Sequence, residues 1–129
     1  MKRTRVTSGS FLEPEIGFSR AVRIGPYIAV SGTAPIAEDG GTVGIDDVYA
    51  QTTWCLEIIR VALAEVGASK DDVIRTRVFL KDISRWQEAA KAHGEAFATS
   101  RPACTFVEVT GFVDPDWLVE VEADAVAPE

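Results

Sequence analysis

The residues best suited to chemistry lie in two stretches near the end of the sequence. SRPACTFVEV, residues 100–109, places Arg101 before a proline and Cys104 at the start of a strand-like run. LVEVEADAV, residues 118–126, alternates apolar residues with carboxylates, the first of which is Glu120. Because a guanidinium binds anions and a carboxyl group transfers protons, the first stretch is either an anion-binding site, the remains of one, or an ordinary loop.

The cysteine and histidine content argues against a metal site. The chain has two cysteines, Cys55 and Cys104, one histidine, His93, and no CxxC motif. These residues are too few and too scattered for a zinc site, so we expect both cysteines to be reduced and packed as small apolar side chains. A nucleophilic pair of Cys104 and His93 is the alternative, but the sequence offers no third group to orient it.

The composition fits one domain, residues 1–129, with a single apolar core. Hydrophobic residues make up 47% of the chain, and no run approaches the roughly 18 apolar residues of a membrane span. The formal net charge of −7 repels phosphate backbones and disfavours nucleic-acid binding. The basic start MKRTRVTSGS is not followed by the apolar core of a signal peptide, so the sequence predicts a cytoplasmic protein without membrane association.

Hydrophobic periodicity predicts the elements that must position these side chains. The clearest helix covers residues 46–66, because Val48, Thr52, Cys55, Ile59, Ala62 and Val66 fall on one helical face. A second helix covers 84–98, with Ser84 as its cap. Predicted strands cover 20–24, 27–31, 73–80, 104–109 and 118–126, with a further short strand at 3–7. This order predicts an α+β fold with helices on one face of a sheet.

Strand alternation predicts that the sheet has a second face with mixed apolar and acidic side chains. The residues assigned to that face are Cys104, Phe106, Glu108, Leu118, Glu120, Glu122 and Asp124. A face packed against other subunits alternates large apolar groups with polar groups that need partners, whereas a solvated face carries few large apolar groups. Burial in an oligomer is therefore favoured over solvent exposure, with Arg20, Arg75 and Arg77 as partners for the carboxylates.

Four segments, in order, give the chain a family resemblance. They are IGFSRAVRIGPYIAVSGTAP at 16–35, CLEIIRVALAEVGASKDDVIRTRVFLKDI at 55–83, HGEAFATSRPACTFVEVTGF at 93–112 and LVEVEADAV at 118–126. Together they resemble the Rid family, of YjgF or RidA type. The resemblance implies a chorismate-mutase-like fold with two helices on one face of a mixed, mainly antiparallel sheet. It also implies a homotrimer whose sheets form a central barrel, with ligand clefts between subunits.

The resemblance further implies an activity and a set of residues. RidA-type members hydrolyse reactive 2-enamines and 2-imines to 2-oxo acids and ammonia, and they need no metal or cofactor. Glu120, in the stretch VEVEA, matches the catalytic carboxylate that handles water in the family. The predicted substrate-binding residues are Phe18, where the family usually has tyrosine, with Ser31, Gly32, Arg101, Cys104 and Phe106.

One position departs from the family pattern. In RidA-type members the arginine that binds the substrate follows Pro-Ala directly, whereas Cys104 follows Pro102-Ala103 here. The nearest arginine, Arg101, lies three positions earlier, which is about 10 Å along an extended chain. The sequence therefore describes a divergent member. In it, Arg101 forms a surface ion pair, reaches the cleft from another angle, or replaces the missing arginine.

Three functions follow from these observations. The first is a small-molecule hydrolase of imines or enamines, with an altered substrate because the arginine is absent. The second is a non-catalytic metabolite-binding trimer. The third, a ribonuclease or translation inhibitor, is least favoured because the chain is acidic and has no basic patches interleaved with aromatic residues.

Overall fold

The computed structural model describes all 129 residues, and their order of elements is β-α-β-β-α-β-α-β-β. The strands are β1 (Arg3–Val6), β2 (Ala21–Ile24), β3 (Tyr27–Thr33), β4 (Val73–Leu80), β5 (Ala103–Glu108) and β6 (Val119–Val126). The helices are α1 (Leu12–Ile16), α2 (Val48–Glu65) and α3 (Trp86–Phe97). All six predicted strands and both predicted helices are present, so the predicted α+β class is confirmed.

The six strands form one sheet in the order β1-β2-β3-β6-β4-β5. Only β4 and β5 are parallel, so the sheet is mixed and mainly antiparallel as predicted. The parallel pair follows from the connection through α3, since parallel neighbours need a crossover rather than a hairpin. None of the helices combines the length and the apolar composition that a membrane span requires.

Helix α2 packs on one face of this sheet through its predicted apolar stripe. Cys55 and Ile59 on this stripe are buried against Val119 and Val121 of β6. The helix begins where the Asp47 side chain accepts a hydrogen bond from the backbone N–H of Ala50. It ends before Gly67, whose φ of +77° lies in the left-handed region that favours glycine.

The second long helix differs from its prediction at its start and on its buried face. Ser84 is not its cap: Asp82 caps a 3₁₀ turn at Ile83–Arg85, and α3 begins only at Trp86. The helical pattern also favours Trp86 and Phe97 on one packed face. Phe97 is buried with Ala89 and Ala92, whereas Trp86, at the first position of the helix, is 48% exposed.

The faces of β5 are the reverse of those predicted. Phe106 lies opposite Val78 of β4, which is fully buried beneath the helices, so Phe106 points toward the helices. Thr105 and Val107 therefore point to the other face. The residues assigned to the wrong face are Cys104, Phe106 and Glu108. Because β5 is an edge strand with partly exposed side chains on both faces, its alternation of residue types does not fix its orientation.

The face of the sheet turned away from α2 and α3, called the outer face below, carries charges as well as exposed apolar groups. Three arginines were predicted to pair with the carboxylates of this face, and Arg77 of β4 does so. It lies 3.1 Å from Glu122 and 3.3 Å from Asp124. Arg75 is exposed and forms no ion pair. Leu118 was assigned to this face but instead precedes β6 and packs against the buried core.

A buried glutamine fixes the segment that leads into β6. Gln51 of α2 is fully buried; its Oε1 accepts a hydrogen bond from the Leu118 N–H at 2.8 Å. Its Nε2 donates to the Asp116 carbonyl at 2.9 Å and to the Gly44 carbonyl at 3.2 Å. Gln51 therefore holds two loops, one of which sets the position of Glu120.

We predict that Gln51→Leu lowers the free energy of unfolding by about 2–3 kcal/mol, because buried backbone groups lose their partners. Urea unfolding monitored by circular dichroism measures this loss. Gln87→Leu, on the exposed side of α3, is the matched control and should change it by no more than about 0.5 kcal/mol. Equal losses in the two variants would contradict the role given to Gln51.

Candidate functional site

A small pocket collects three of the residues that the sequence predicted for the site. It has a volume of about 130 Å³ and lies where β3, β6 and the segment around α1 meet. Phe18, Gly32 and Glu120 line it together with Arg20, and apolar side chains such as Ile58 and Trp117 complete its wall. One carboxyl group and one guanidinium in a mainly apolar wall are the features of a small-molecule site.

The carboxyl group of Glu120 in this pocket has no hydrogen-bond partner within the chain. It lies on the outer side of β6, between the buried residues Val119 and Val121, and is itself partly buried. Its carboxyl group accepts no hydrogen bond from the rest of the chain, whereas Glu122, two residues further, is paired with Arg77. Burial raises the pKa of Glu120, and the nearby charge of Arg20 opposes this effect only in part.

Gly32 allows the Glu120 carboxyl group to approach the backbone of β3. A Cβ atom at Gly32 would lie 3.1 Å from Glu120 Oε1, which is closer than a comfortable contact. The register between β3 and β6 shifts between Val30 and Thr33, so this part of β3 departs from regular pairing. Ser31 beside it donates from its Oγ to the Ser19 carbonyl at 2.6 Å and does not line the pocket.

Arg20 reaches the same glycine from the other side. Its Nη1 donates to the Gly32 carbonyl at 2.7 Å and to Thr33 Oγ1 at 2.9 Å. Its guanidinium also lies 5.3 Å from the centre of the Phe18 ring. The sequence predicted that Arg20 pairs with carboxylates of the outer face. This prediction is wrong for Glu122 and Asp124, because Arg20 is only 4% exposed and its side chain bonds to Gly32 and Thr33.

The charge of Arg20 is matched by Glu13, a residue that the sequence reading did not single out. Glu13 of α1 is buried, and its Oε2 lies 3.5 Å from Arg20 Nε. It also accepts hydrogen bonds from the Thr7 and Ser8 hydroxyls. Burial raises the pKa of Glu13, but these hydrogen bonds and the charge of Arg20 outweigh that effect and leave the pKa below its usual value.

Comparisons with known proteins identify the family of this fold and pocket. A family model described as Endoribonuclease L-PSP matches residues 9–127, which is nearly the whole chain. The chain belongs to the Endoribonuclease L-PSP family. Its similarity to YjgF-type proteins confirms the membership that the sequence resemblance implied.

Several proteins of known structure or known name are similar to this chain. The crystal structure of Rv2704, a member of the YjgF/YER057c/UK114 family from Mycobacterium tuberculosis, is 46% identical with a TM-score of 0.89, covering 98% of this chain and 100% of that chain. A RutC family protein from Pyrococcus abyssi is 36% identical over 108 residues, which are 84% of each protein. The 3-aminoacrylate deaminase RutC from Acinetobacter baylyi is 34% identical over 114 residues, which are 88% of this chain and 87% of that protein.

In this member of the Endoribonuclease L-PSP family, the other predicted site residues lie away from the pocket. Cys104 is exposed at the edge of the sheet, so the expectation that both cysteines are packed is wrong for Cys104 and confirmed for the buried Cys55. Phe106 packs near the His93 ring with the core. Arg101 is exposed, has a φ of +51° and forms no ion pair or side-chain hydrogen bond within the chain. One copy of the chain therefore brings together Phe18, Gly32 and Glu120 but not the β5 residues.

The alternative nucleophilic pair is not formed. His93 Nε2 lies 2.7 Å from Thr76 Oγ1, and no hydrogen bond joins His93 to Cys104. Burial lowers the pKa of His93, and its ring packs 4.7 Å from that of Phe97. No group of three or more His, Cys, Asp or Glu side chains is arranged to hold a metal ion.

A larger groove of about 440 Å³ adjoins the pocket and shares the side chain of Arg20 with it. Thr7, Ser10 and Phe11 line one wall, and Trp54 and Ile58 of α2 line the other. Ile36, Ile58 and Ser10 also line both spaces, so the groove and the pocket are neighbours that share one set of side chains.

We predict that Glu120→Gln raises the melting temperature near neutral pH. Because the pKa of Glu120 is raised in the folded state, its contribution to stability is complete below its ordinary pKa of 4.5 and is lost as the pH rises through the folded-state value. The variant should therefore exceed wild type at about pH 8, and the difference should shrink toward pH 4.5. Thermal unfolding across this range measures it, and a difference that does not depend on pH would contradict the assignment.

Proposed function

We propose that this protein is a homotrimeric hydrolase that deaminates a reactive enamine or imine in the pocket beside Glu120. The observation that carries the proposal is the unpaired carboxyl group of Glu120, which is partly buried and has a raised pKa. A carboxyl group whose pKa is raised by burial exchanges a proton more readily near neutral pH, and hydrolysis of a C=N bond requires such proton transfers. We propose that Phe18 and Gly32 surround the substrate, with Ser31 holding the backbone next to Gly32 through its hydrogen bond to the Ser19 carbonyl.

The proposed reaction consumes one water and releases one ammonia. An enamine first takes a proton on carbon and loses one from nitrogen, which gives the imine. Water then adds to the imine carbon while Glu120 removes a proton from it. Glu120 returns that proton to the nitrogen, which gives a carbinolamine. Glu120 then carries the remaining hydroxyl proton to the same nitrogen, the C–N bond breaks, and a carbonyl product and ammonia leave. The protein supplies position and proton transfer, and the apolar wall limits competing water.

A named relative supports this choice of reaction. The 3-aminoacrylate deaminase RutC, 34% identical to this chain, acts by its name on a compound that carries both an enamine nitrogen and a carboxylate. Ribonuclease activity, which the family name mentions, receives less support here because the net charge of −7 disfavours a phosphate backbone.

The outer face of the sheet supports a trimer. Tyr27 and Ile74 on or beside this face are 64% and 55% exposed, and Val107 and Val126 are also exposed. Exposed apolar side chains on several strands of one sheet are unusual for a face left in water, and copies of the chain would cover them. We propose that in such an assembly the pocket of one copy lies near a seam and that the exposed residues Arg101 and Cys104 of a neighbouring copy approach it.

We predict that Glu120→Gln lowers the rate of ammonia release from freshly generated 2-aminoacrylate by about 100-fold or more, because the amide cannot transfer the proton. A coupled assay for ammonia, corrected for the uncatalysed rate, measures it. Glu122→Gln is the matched control, two residues along the same strand face, and should keep most of the activity. Wild-type rates equal to the uncatalysed rate with 2-aminoacrylate and 2-iminobutanoate, together with binding of the 2-oxo acid, would favour the non-catalytic binding trimer instead.

We predict that wild type has three times the mass of the chain in solution and that Val107→Glu yields monomers. A charge on the buried outer face would cost several kcal/mol at each seam. Val61→Glu, an equally exposed valine on α2, is the control and should remain trimeric. Light scattering after size exclusion measures both, and a monomeric wild type at micromolar concentration would overturn the proposed assembly.

A further inference from the structure

The buried guanidinium of Arg20 has donors that the chain does not use. A guanidinium carries five N–H groups. Nη1 donates to the Gly32 carbonyl and to Thr33 Oγ1. Nε is buried without a hydrogen bond, because the Glu13 carboxyl group lies 3.5 Å away, and Nη2 donates no hydrogen bond within the chain. A buried cation with unused donors is costly unless a ligand or water satisfies them.

These unused donors lie in the wall of the candidate site. Arg20 lines both the pocket and the neighbouring groove, and Glu120 lines the pocket with it. Both charged groups lie beside Gly32, since Arg20 Nη1 donates to the Gly32 carbonyl at 2.7 Å and Glu120 Oε1 would lie 3.1 Å from a Cβ atom at this position. A small ligand in the pocket therefore has a guanidinium and a carboxyl group in the same wall.

We propose that Arg20 takes the role of the arginine that Cys104 replaces and binds the carboxylate of the substrate, a small 2-imino or 2-enamino acid, and of its 2-oxo acid product. This inference rests on the proposed function for the identity of the substrate and on the structure for the binding group. The free Nη2 donates to the carboxylate, while the bonds of Nη1 to Gly32 and Thr33 hold the guanidinium in place. The C=N carbon then lies toward Glu120.

Arg20 is the one cationic residue among those that line the pocket and the groove. Arg20 faces Glu13, which remains ionised because its pKa is held below the usual value. Glu120 is the other acidic group of the pocket near Arg20, and burial raises its pKa. Among the remaining acidic residues of the groove, Glu38, Asp39 and Glu65 are exposed to solvent, and Glu57 is paired with Arg60.

The test measures binding of 2-oxobutanoate, a stable 2-oxo acid, by the chemical shift of the Gly32 amide in a titration. The variant Glu13→Gln/Arg20→Gln removes both members of the ion pair, which avoids a buried unpaired charge, and thermal unfolding checks that it is folded. Glu13→Gln alone keeps the guanidinium and serves as the matched control. The neutral amide, 2-oxobutanamide, tests whether the charge of the ligand is recognised.

We expect the double variant to bind 2-oxobutanoate about tenfold to 100-fold more weakly than wild type. This ratio is the one expected when a ligand loses its hydrogen bonds to a charged group. Glu13→Gln should bind at least as tightly as wild type, and 2-oxobutanamide should bind as weakly to wild type as 2-oxobutanoate does to the double variant. Unchanged affinity in a folded double variant, or a loss that appears with Arg101→Gln instead, would overturn the proposal.

The outcome is separable from that of the proposed function. Turnover of 2-iminobutanoate by the folded double variant with an unchanged KM would refute Arg20 as the binding group and leave the deaminase intact. Binding of 2-oxobutanoate that depends on Arg20, in a wild type that releases no ammonia above the uncatalysed rate, would refute the deaminase and leave the binding site intact.

Discussion

The hydrogen bonds of the buried Arg20 guanidinium to Gly32 and Thr33 are the interaction on which the site depends. A guanidinium leaves water only when its charge and its donors find partners, so the chain around it is constrained on several sides. Glu13 brings α1 against the sheet, and the irregular end of β3 turns its carbonyl toward Nη1. The pocket is the space that this arrangement leaves between β3 and β6.

The carboxylates of β6 show how one strand serves two purposes. Glu122 and Asp124 are neutralised by a single arginine on the adjacent strand, Arg77, and so belong to the charge balance of the outer face. Glu120 forms no ion pair with Arg77 and lies next to Gly32 of β3. Without a hydrogen bond of its own and with a raised pKa, it keeps the capacity for proton transfer that its neighbours have lost.

Strong periodic patterns made much of the fold predictable. The stripe of α2 and the alternation of β6 each follow one period over many residues, and both are confirmed. The five residues of α1 are too few for a periodic pattern to predict a helix. Strand β5 has exposed residues on both faces, so its alternation did not predict which face packs against the helices. Glu120 was found through its family resemblance, whereas the role of Arg20 depends on contacts with Glu13 and Gly32 that only the folded chain brings together.

The site requires that a small ligand bind between Arg20 and Glu120, against Gly32. A crystal structure of the Glu120→Gln variant with 2-oxobutanoate would show this binding, since the variant keeps the shape of the pocket. We expect the ligand carboxylate within hydrogen-bond distance of Arg20 Nη2 and its carbonyl carbon facing residue 120. A ligand bound instead at Arg101 and Cys104, with the Arg20 pocket holding only water, would contradict it.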